Sequence, residues 1–473
     1  MKLKIIHTND LHSNFDNFAK AVTLIKQHKD EHTLLLEAGD FADFKSIELQ
    51  GTRGIAAVEL LEAVGYDAIT VGNNEMFNGV DTLQHMATKS SVPFISNNLF
   101  RRDTTKIQGV HQSVILHKNG LRILITGASP DLGAFNEGLG VHNENYIIAI
   151  ANEMEKNRGN YDLCILLNHV GTVADLDLAK EIDGIDVIVS SHDHQLFSEA
   201  KIVNETFIVS AGNYGEHIGV LEIEVDGESK KLLHSAVFST KDIEADKEIT
   251  KILEVNREKA IEKLRKPLYA VDQPLWHDVI AENPITNLIA DGLKDMMNTD
   301  LGLINSGIVN AGVFQYVSDK KLIEVCPSPL NPTSFEIQGK YIWMAIQQSL
   351  DVQHCLLDGR GPGFRGKYVG GLHVSGATVV HDSGRVLEIK LGDTPLEEEK
   401  WYTVATSDYL QRGSGYPSLA NNKNEFYRPE EIKEVIKIYA NKQEFVQRAF
   451  VTRLTEHQQS VEVGNLDDNF TTY

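Results

Sequence analysis

The chain has few cysteines, no long apolar run and a shortage of positive charge. Only Cys164, Cys326 and Cys355 occur in 473 residues, and none sits in a CxxC pair. That excludes a disulfide framework, so reduced, buried thiols are expected. No stretch of 18 or more apolar residues is present, which excludes a membrane-spanning helix. The opening Met1-Lys-Leu-Lys-Ile-Ile-His lacks the apolar core and small-residue cleavage site of a secretory signal, so a cytoplasmic location is expected. Neither an internal repeat nor a low-complexity segment appears. Lysine and arginine number 45 against 67 acidic residues, a formal charge of −22. Such a chain repels phosphate backbones at long range, which argues against a nucleic-acid polymer as partner. A small anion can still bind where a metal or local cations invert the field.

What is present is an ordinary globular composition, 42% hydrophobic and 24% charged, in a chain long enough for two or three domains. Strand-like runs cover 2–8, 33–37, 67–71, 121–126, 161–167, 186–189 and 206–209. Helical spacing follows the first, at Phe15, Phe18, Val22 and Ile25, and recurs over 56–63. This βαβ rhythm predicts an α/β domain with a largely parallel core over 1–240. A charged amphipathic helix within 241–267 reads as a linker, a second α/β region follows over 268–455, and a polar tail covers 456–473.

Polar residues of metal-ligand type fall just after the strands. The first ends in His7-Thr8-Asn9-Asp10-Leu11-His12, the second in Gly39-Asp40 and the third in Gly72-Asn73-Asn74-Glu75. Two later ones end in Asn168-His169 and Ser191-His192-Asp193-His194. In parallel α/β sheets ligands collect at the carboxyl ends of strands, so five such clusters converge on one place. Carboxylate, amide and imidazole together suit a borderline divalent ion such as Mn²⁺, Zn²⁺ or Fe²⁺. A pair of ions about 3.5–4 Å apart can share one carboxylate.

On these motifs the chain resembles the 5′-nucleotidase / UDP-sugar hydrolase / 2′,3′-cyclic nucleotide phosphodiesterase family, over about residues 2–450. The resemblance implies a four-layer α/β/β/α metallophosphoesterase domain, a linker helix and a C-terminal α/β 5′-nucleotidase-type domain. It implies two divalent metal ions, one held by Asp10, His12, Asp40 and His194, the other by Asp40, Asn73, His169 and His192, with Asp40 bridging. It also implies hydrolysis of a nucleotide phosphate ester, in a 5′-mononucleotide or a 2′,3′-cyclic nucleotide, by attack of a metal-bridging hydroxide. The partner is then a small-molecule nucleotide or related phosphate compound.

The family's third block reads Gly-Asn-His-Glu, and its histidine helps protonate the leaving oxygen. Here that position is Asn74, and the family's supporting aspartate is Phe77. An amide donates a hydrogen bond but supplies no proton. An alkoxide leaving group wants general-acid help of about 10²–10⁴-fold, whereas a phosphate needs much less. The substitution favours two alternatives: a phosphoanhydride hydrolase acting on nucleotide sugars or nucleoside diphosphates, and a catalytically weak nucleotide-binding protein with an intact metal site. His217 and His277 are candidate substitute acids.

In the second half the resemblance assigns substrate binding. Phe364, from the Gly-rich loop 361–368, and Tyr409 correspond to two aromatics that sandwich the nucleobase, with Tyr368 and Tyr416 as alternatives. Asn305 and Asn331 sit in the blocks Asn305-Ser306-Gly307 and Pro329-Leu330-Asn331. Ser414 replaces an aspartate that contacts ribose, and Asn310 replaces a phosphate-binding arginine. Arg360, Arg365, Lys367 and Arg412 are nearby cations that could meet an anionic substrate.

Overall fold

The structure, a computed structural model, describes residues 1–457 apart from 228 and 362. The tail expected over 456–473 therefore lies, from 458 onward, outside the described residues.

The described residues form two compact units. Unit 1 holds 1–270 together with 316–332 and 426–434, and unit 2 holds 271–315, 333–425 and the chain from 435. In unit 1, strands β1 (Lys2–Thr8), β2 (Thr33–Glu37), β3 (Ala68–Thr70), β4 (Phe94–Ile95) and β5 (Val110–His111) run parallel, each beside the next. A second sheet contains β6 (Ser113–Lys118), β7 (Leu121–Thr126), β8 (Leu163–Asn168), β9 (Val187–Ser190), β10 (Lys201–Val203) and β11 (Thr206–Val209). Strands β7, β8, β9 and β11 are parallel, with β6 and β10 antiparallel at the edges. The antiparallel pair β12 (His217–Asp226) and β13 (Ser229–Ser239) completes the first sheet beside β1.

The side-chain alternation explains the layering. Leu3 and Ile5 of β1, Leu34 and Leu36 of β2, Leu163, Ile165 and Leu167 of β8, and Val187 and Val189 of β9 share one core between the sheets. Ile6 and Leu35 face the opposite side, with Phe18, Val22 and Ile25 of helix α1 (Phe15–His28). Cys164 and Leu166 point outward from the other sheet to a third core with Ile150 and Leu178. Period-2 strands buried on both faces thus give the expected helix–sheet–sheet–helix stack. All three cysteines are buried and unpaired.

The helix read as a linker is α2 (Lys247–Leu264), capped by Asp246. It packs within unit 1: Asn256 donates to Glu59 at 2.7 Å, and Lys26 reaches the cap Asp246 at 2.8 Å. Two later segments, 316–332 and 426–434, also belong to unit 1, so the division is not the single cut expected from composition.

Unit 2 is built on a five-stranded sheet with β14 (Leu301–Asn305), β15 (Pro332–Gln338), β16 (Leu372–Ser375), β17 (Trp401–Ser407) and β18 (Asn422–Tyr427), in the order β16-β14-β17-β15-β18. Helix α3 (Pro284–Met297) starts on an Asn283 cap with proline in its first turn, where a missing N–H costs nothing. Among the described residues, no helix is long and apolar enough to cross a membrane.

Candidate dimetal site

The carboxyl ends of β1, β2, β3, β8 and β9 bring together the residues singled out there. Asp10, His12 and His194 form one group, and Asp40, His169 and His192 another, each with ligand atoms within 4.8 Å of one another. His12 and His194 bring their Nε2 atoms to 3.0 Å, converging on one point. Asp40 faces both groups: its Oδ1 lies 3.3 Å from His169 Nε2, and its Oδ2 lies 3.6 Å from His12 Nε2. Asp10 Oδ1 also lies 3.9 Å from His169 Nε2 and 3.6 Å from His194 Nε2, so Asp40 is the closer of two carboxylates that face both groups.

The backbone is bent to achieve this. Asp10, His12, Asp40, His192 and His194 all have positive φ, between 48° and 82°. A non-glycine residue in that region costs about 1–3 kcal/mol and persists only where surrounding bonds over-determine it. Those bonds are present: Asp10 N–H donates to the Gly39 carbonyl at 3.0 Å, and His12 N–H to the Asp40 carbonyl at 2.8 Å. The Asp10 carboxylate accepts from the Asn9 amide at 2.8 Å and from the His192 N–H at 3.1 Å. Glu75 accepts from the N–H groups of Asp40, Ala42 and Gly72. Gly72 has to be glycine here, since a Cβ would sit 2.2 Å from Asp40 Oδ1.

The donors fit divalent cations. His169 places Nδ1 2.8 Å from the Ala38 carbonyl, so the N–H points there and the Nε2 lone pair faces the carboxylates. That Nε2 and the Asn73 Oδ1 are both buried without a hydrogen-bond partner. Buried polar atoms are normally satisfied, so a pair of orphaned donor atoms beside two carboxylates marks a place for cations. The electrostatics agree. Burial would lower the His169 pKa, but the Asp40 and Asp10 carboxylates outweigh it and push it up to about 10. The site calls for positive charge, and a metal ion is the other way to provide it.

Asn74 does not reach outward from this set. Its backbone N–H donates to Asp40 Oδ1 at 2.8 Å and its side-chain amide to Asp40 Oδ2 at 2.7 Å. The residue at the family's acid position clamps the Asp40 carboxylate. Neither His217, which opens β12, nor His277 makes a hydrogen bond, ion pair or ring contact with the ligand set among the described residues. His277 instead donates from Nε2 to the Ser306 carbonyl in unit 2.

Residues that the motifs did not single out complete the surroundings. The Asn213 amide lies 3.0 Å from His194 Nδ1, and Asp43 Oδ2 lies 3.8 Å from His12 Nδ1. The Tyr214 ring stands edge-on to His12 and His194, at 5.6 and 5.9 Å. Asn213 and Tyr214 follow β11 within Gly212-Asn-Tyr-Gly, a strand end that carries no carboxylate or imidazole to flag it.

The expected substrate residues fall in both units. Asn331 lies in unit 1, where its amide donates to the carbonyls of Arg428 and Glu430 and fastens the segment 426–434. Asn305, Phe364, Tyr409, Ser414 and Tyr416 lie in unit 2. Phe364 and Tyr409 stack directly on one another, with centroids 4.4 Å apart and planes 23° apart. A base between them would need about 7–8 Å, two carbon contact distances. The two rings cover one another's apolar faces, so the slot expected there is closed in this structure. Gly359 and Gly361 make room for the pair, since a Cβ at either would come within 3.0 Å of a ring carbon. Tyr416 donates its hydroxyl to the Gly370 carbonyl at 2.6 Å. Asn305 donates to the Val369 carbonyl and leaves Oδ1 buried and unpartnered, as is the Tyr409 hydroxyl.

Residues 3–196 match the calcineurin-like phosphoesterase family model, and residues 263–421 match the 5′-nucleotidase C-terminal domain. The uncharacterized metallophosphoesterase YunD of Bacillus subtilis is 29% identical, over 92% of this chain and 98% of its own length. The 5′-nucleotidase of Bos taurus is 24% identical, over 89% of this chain and 85% of that protein. The solved structure of Haemophilus influenzae NAD nucleotidase superposes with a TM-score of 0.68 at 16% identity, covering 97% of this chain and all of that one. The last likeness concerns the fold alone.

Proposed function

We propose a function on the premise that this chain belongs to the phosphoesterases in which a calcineurin-like domain precedes a 5′-nucleotidase C-terminal domain. The chain is a phosphate ester hydrolase. Its substrate is a nucleotide, either a 5′-mononucleotide or a 2′,3′-cyclic nucleotide. The observation that carries the reading is the pair of ligand groups sharing Asp40. The 5′-nucleotidase relative and the matched C-terminal domain support the nucleotide.

Two divalent ions bound there would acidify a water and screen the phosphoryl oxygens as charge develops. Asp10, His12 and His194 would hold one, Asn73, His169 and His192 the other, and Asp40 both. Asn9 and the His192 N–H fix the Asp10 carboxylate, and the Ala38 carbonyl fixes the His169 tautomer. Asn74 fixes Asp40 from both oxygens and brings no proton to the leaving group.

That clamp favours a second reading, hydrolysis of a phosphoanhydride in a nucleotide sugar or nucleoside diphosphate. A departing phosphate has a pKa near about 6 and leaves without an acid. The test is a panel in Mn²⁺ with a nucleoside monophosphate, a 2′,3′-cyclic nucleotide, a nucleoside diphosphate and UDP-glucose, following phosphate and organic product. Fast cleavage of the esters supports the first reading. Cleavage of anhydrides alone replaces it with the second, and inertness across the panel with metal bound refutes both.

A further inference from the structure

We propose that Asp193, acting through Thr172, is a positioning residue that sets the spacing between the ligand His169 and the ligands His192 and His194. The inference rests on the dimetal reading and adds to it a residue outside the ligand set.

His192 and His194 stand in a turn that the chain does not favour by itself. The ladder between β8 and β9 ends at the pair Asn168 and Ser190. Beyond it, residues 192–194 make no backbone–backbone hydrogen bond among the described residues. His192 at φ 82° and His194 at φ 58° both lie in the left-handed region. Such a turn relaxes to ordinary angles unless side chains hold it. The Asn213 amide lies beside the His194 ring, but no hydrogen bond steadies the His192 ring among the described residues, so its direction follows from the backbone. The His192 N–H to the Asp10 carboxylate is one hold on that backbone. Asp193, set between the two histidines, is the other. Its Oδ2 accepts from the Thr172 N–H at 3.1 Å, and its Oδ1 accepts from the Thr172 hydroxyl at 2.8 Å.

Thr172 is a firm place to fasten to. It opens the helix Thr172–Glu181, whose cap residue Gly171 has no side chain to satisfy the first N–H groups. The Asp193 carboxylate supplies that cap from a different strand end, and puts an anion at the positive end of the helix. Thr172 is buried, which shelters the bonds from water.

The same helical turn reaches back to β8. Asp175 accepts from the Asn168 amide, and both residues are fully buried. Asn168 directly precedes His169. The first turn of the helix is therefore fastened to the end of β8 through Asp175 and to the turn after β9 through Thr172. His169 and His192 belong to one ligand group, with ring centroids 5.1 Å apart. What fixes the distance between the two strand ends fixes the distance between these two ligands. Asp193 itself is exposed and engages Thr172 with each oxygen, so it acts on the site through its neighbours.

The test is a Mn²⁺ titration of the metal-free protein against a competing chelator, with thermal unfolding of the same metal-free protein. It compares the wild type with Asp193→Ala, Thr172→Val, Thr172→Ser and the double variant Asp193→Ala/Thr172→Val. Asp193→Ala should weaken Mn²⁺ binding about tenfold or more, the usual effect of removing a residue that orients a metal ligand. Thr172→Val keeps the N–H and loses only the hydroxyl, so it should weaken binding by roughly three- to tenfold. Thr172→Ser keeps the hydroxyl and should stay within about twofold of the wild type. The double variant should bind no more weakly than Asp193→Ala alone, because its second change removes a bond already lost. A merely structural role gives a different pattern: the unfolding temperature falls in Asp193→Ala and Thr172→Val while Mn²⁺ affinity stays at the wild-type level. That pattern overturns the inference, as do equal losses in Thr172→Val and Thr172→Ser, or additive losses in the double variant. If Asp193→Ala does not fold, the contrast between Thr172→Val and Thr172→Ser decides the matter. A wild type that takes up no Mn²⁺ refutes the dimetal reading, and the inference with it.

Discussion

Replacing Asn74 by alanine separates a residue that acts on the substrate from one that acts on the metal site. The wild-type residue holds both oxygens of Asp40, Oδ1 from its N–H at 2.8 Å and Oδ2 from its amide at 2.7 Å. Alanine keeps the first bond and removes the second. Asp40 is only 2% exposed, so water cannot readily take the place of the lost donor. A hydrogen bond to a charged group contributes about 1.5–3 kcal/mol. At about 1.4 kcal/mol per factor of ten, metal affinity should fall roughly 10- to 150-fold. The assay is a Mn²⁺ titration of the metal-free protein against a competing chelator, with turnover of 4-nitrophenyl phosphate measured at saturating metal. If Asn74 is a clamp, the affinity falls and saturating metal restores most of the turnover. Metal affinity within threefold of the wild type, with turnover still depressed at saturation, would refute the clamp and place Asn74 on the substrate. Asn74→His completes the test: greater turnover of a monophosphate relative to a diphosphate would mean that the missing acid limits ester cleavage.

Asp40→Asn should release metal and abolish hydrolysis, because it halves the charge shared by the two ligand groups; full activity in that variant would overturn the site. Gly72→Ala should do nearly the same without touching a ligand, since the added methyl meets Asp40 Oδ1 at 2.2 Å; retained metal binding would show that the strand end yields. Tyr409→Ala should raise KM for a nucleotide more than for 4-nitrophenyl phosphate, and equal effects would argue against base stacking there. In unit 2, His373 is buried with Nδ1 2.9 Å from Asn287 Oδ1 and Nε2 3.2 Å from the Asn283 amide, and burial followed by Arg453 pushes its pKa down to about 3. The unfolded chain takes up that proton near pH 6.5 and the folded one does not, so stability present above pH 6.5 should fall by about 2 kcal/mol at pH 5. Urea unfolding at both pH values should show a smaller drop in His373→Gln, and an identical drop would sink the assignment.

The alternation in β1 and β8 was legible because each residue has only two faces to choose from. Leu3 and Ile5 against Ile6, and Ile165 against Leu166, divide between two cores as the pattern requires. The convergence of these residues was legible for a related reason: parallel strands end on one side, so carboxylates and imidazoles just past five strand ends have to meet. The rest depends on distances that the order of residues does not carry. Nothing in Gly212-Asn-Tyr-Gly announces a ring set between two histidines, because tyrosine at a turn is ordinary until its φ and its neighbours are known. Amphipathic helices 247–264 and 319–325 show an apolar face without saying which unit it covers, and both cover unit 1. The aromatic pair shows the same limit, since residue types at 364 and 409 fit a sandwich and a closed stack equally well. Asn74 joins the two kinds of information. Its identity, an amide where an imidazole belongs, is visible in the sequence and says what it cannot donate. Its partner, a carboxylate 34 residues earlier, is set by the turn after β3 and says what it holds instead. The chemistry open to this site therefore turns on a substitution and a geometry together: an amide stands where an imidazole belongs, and it is spent on holding Asp40.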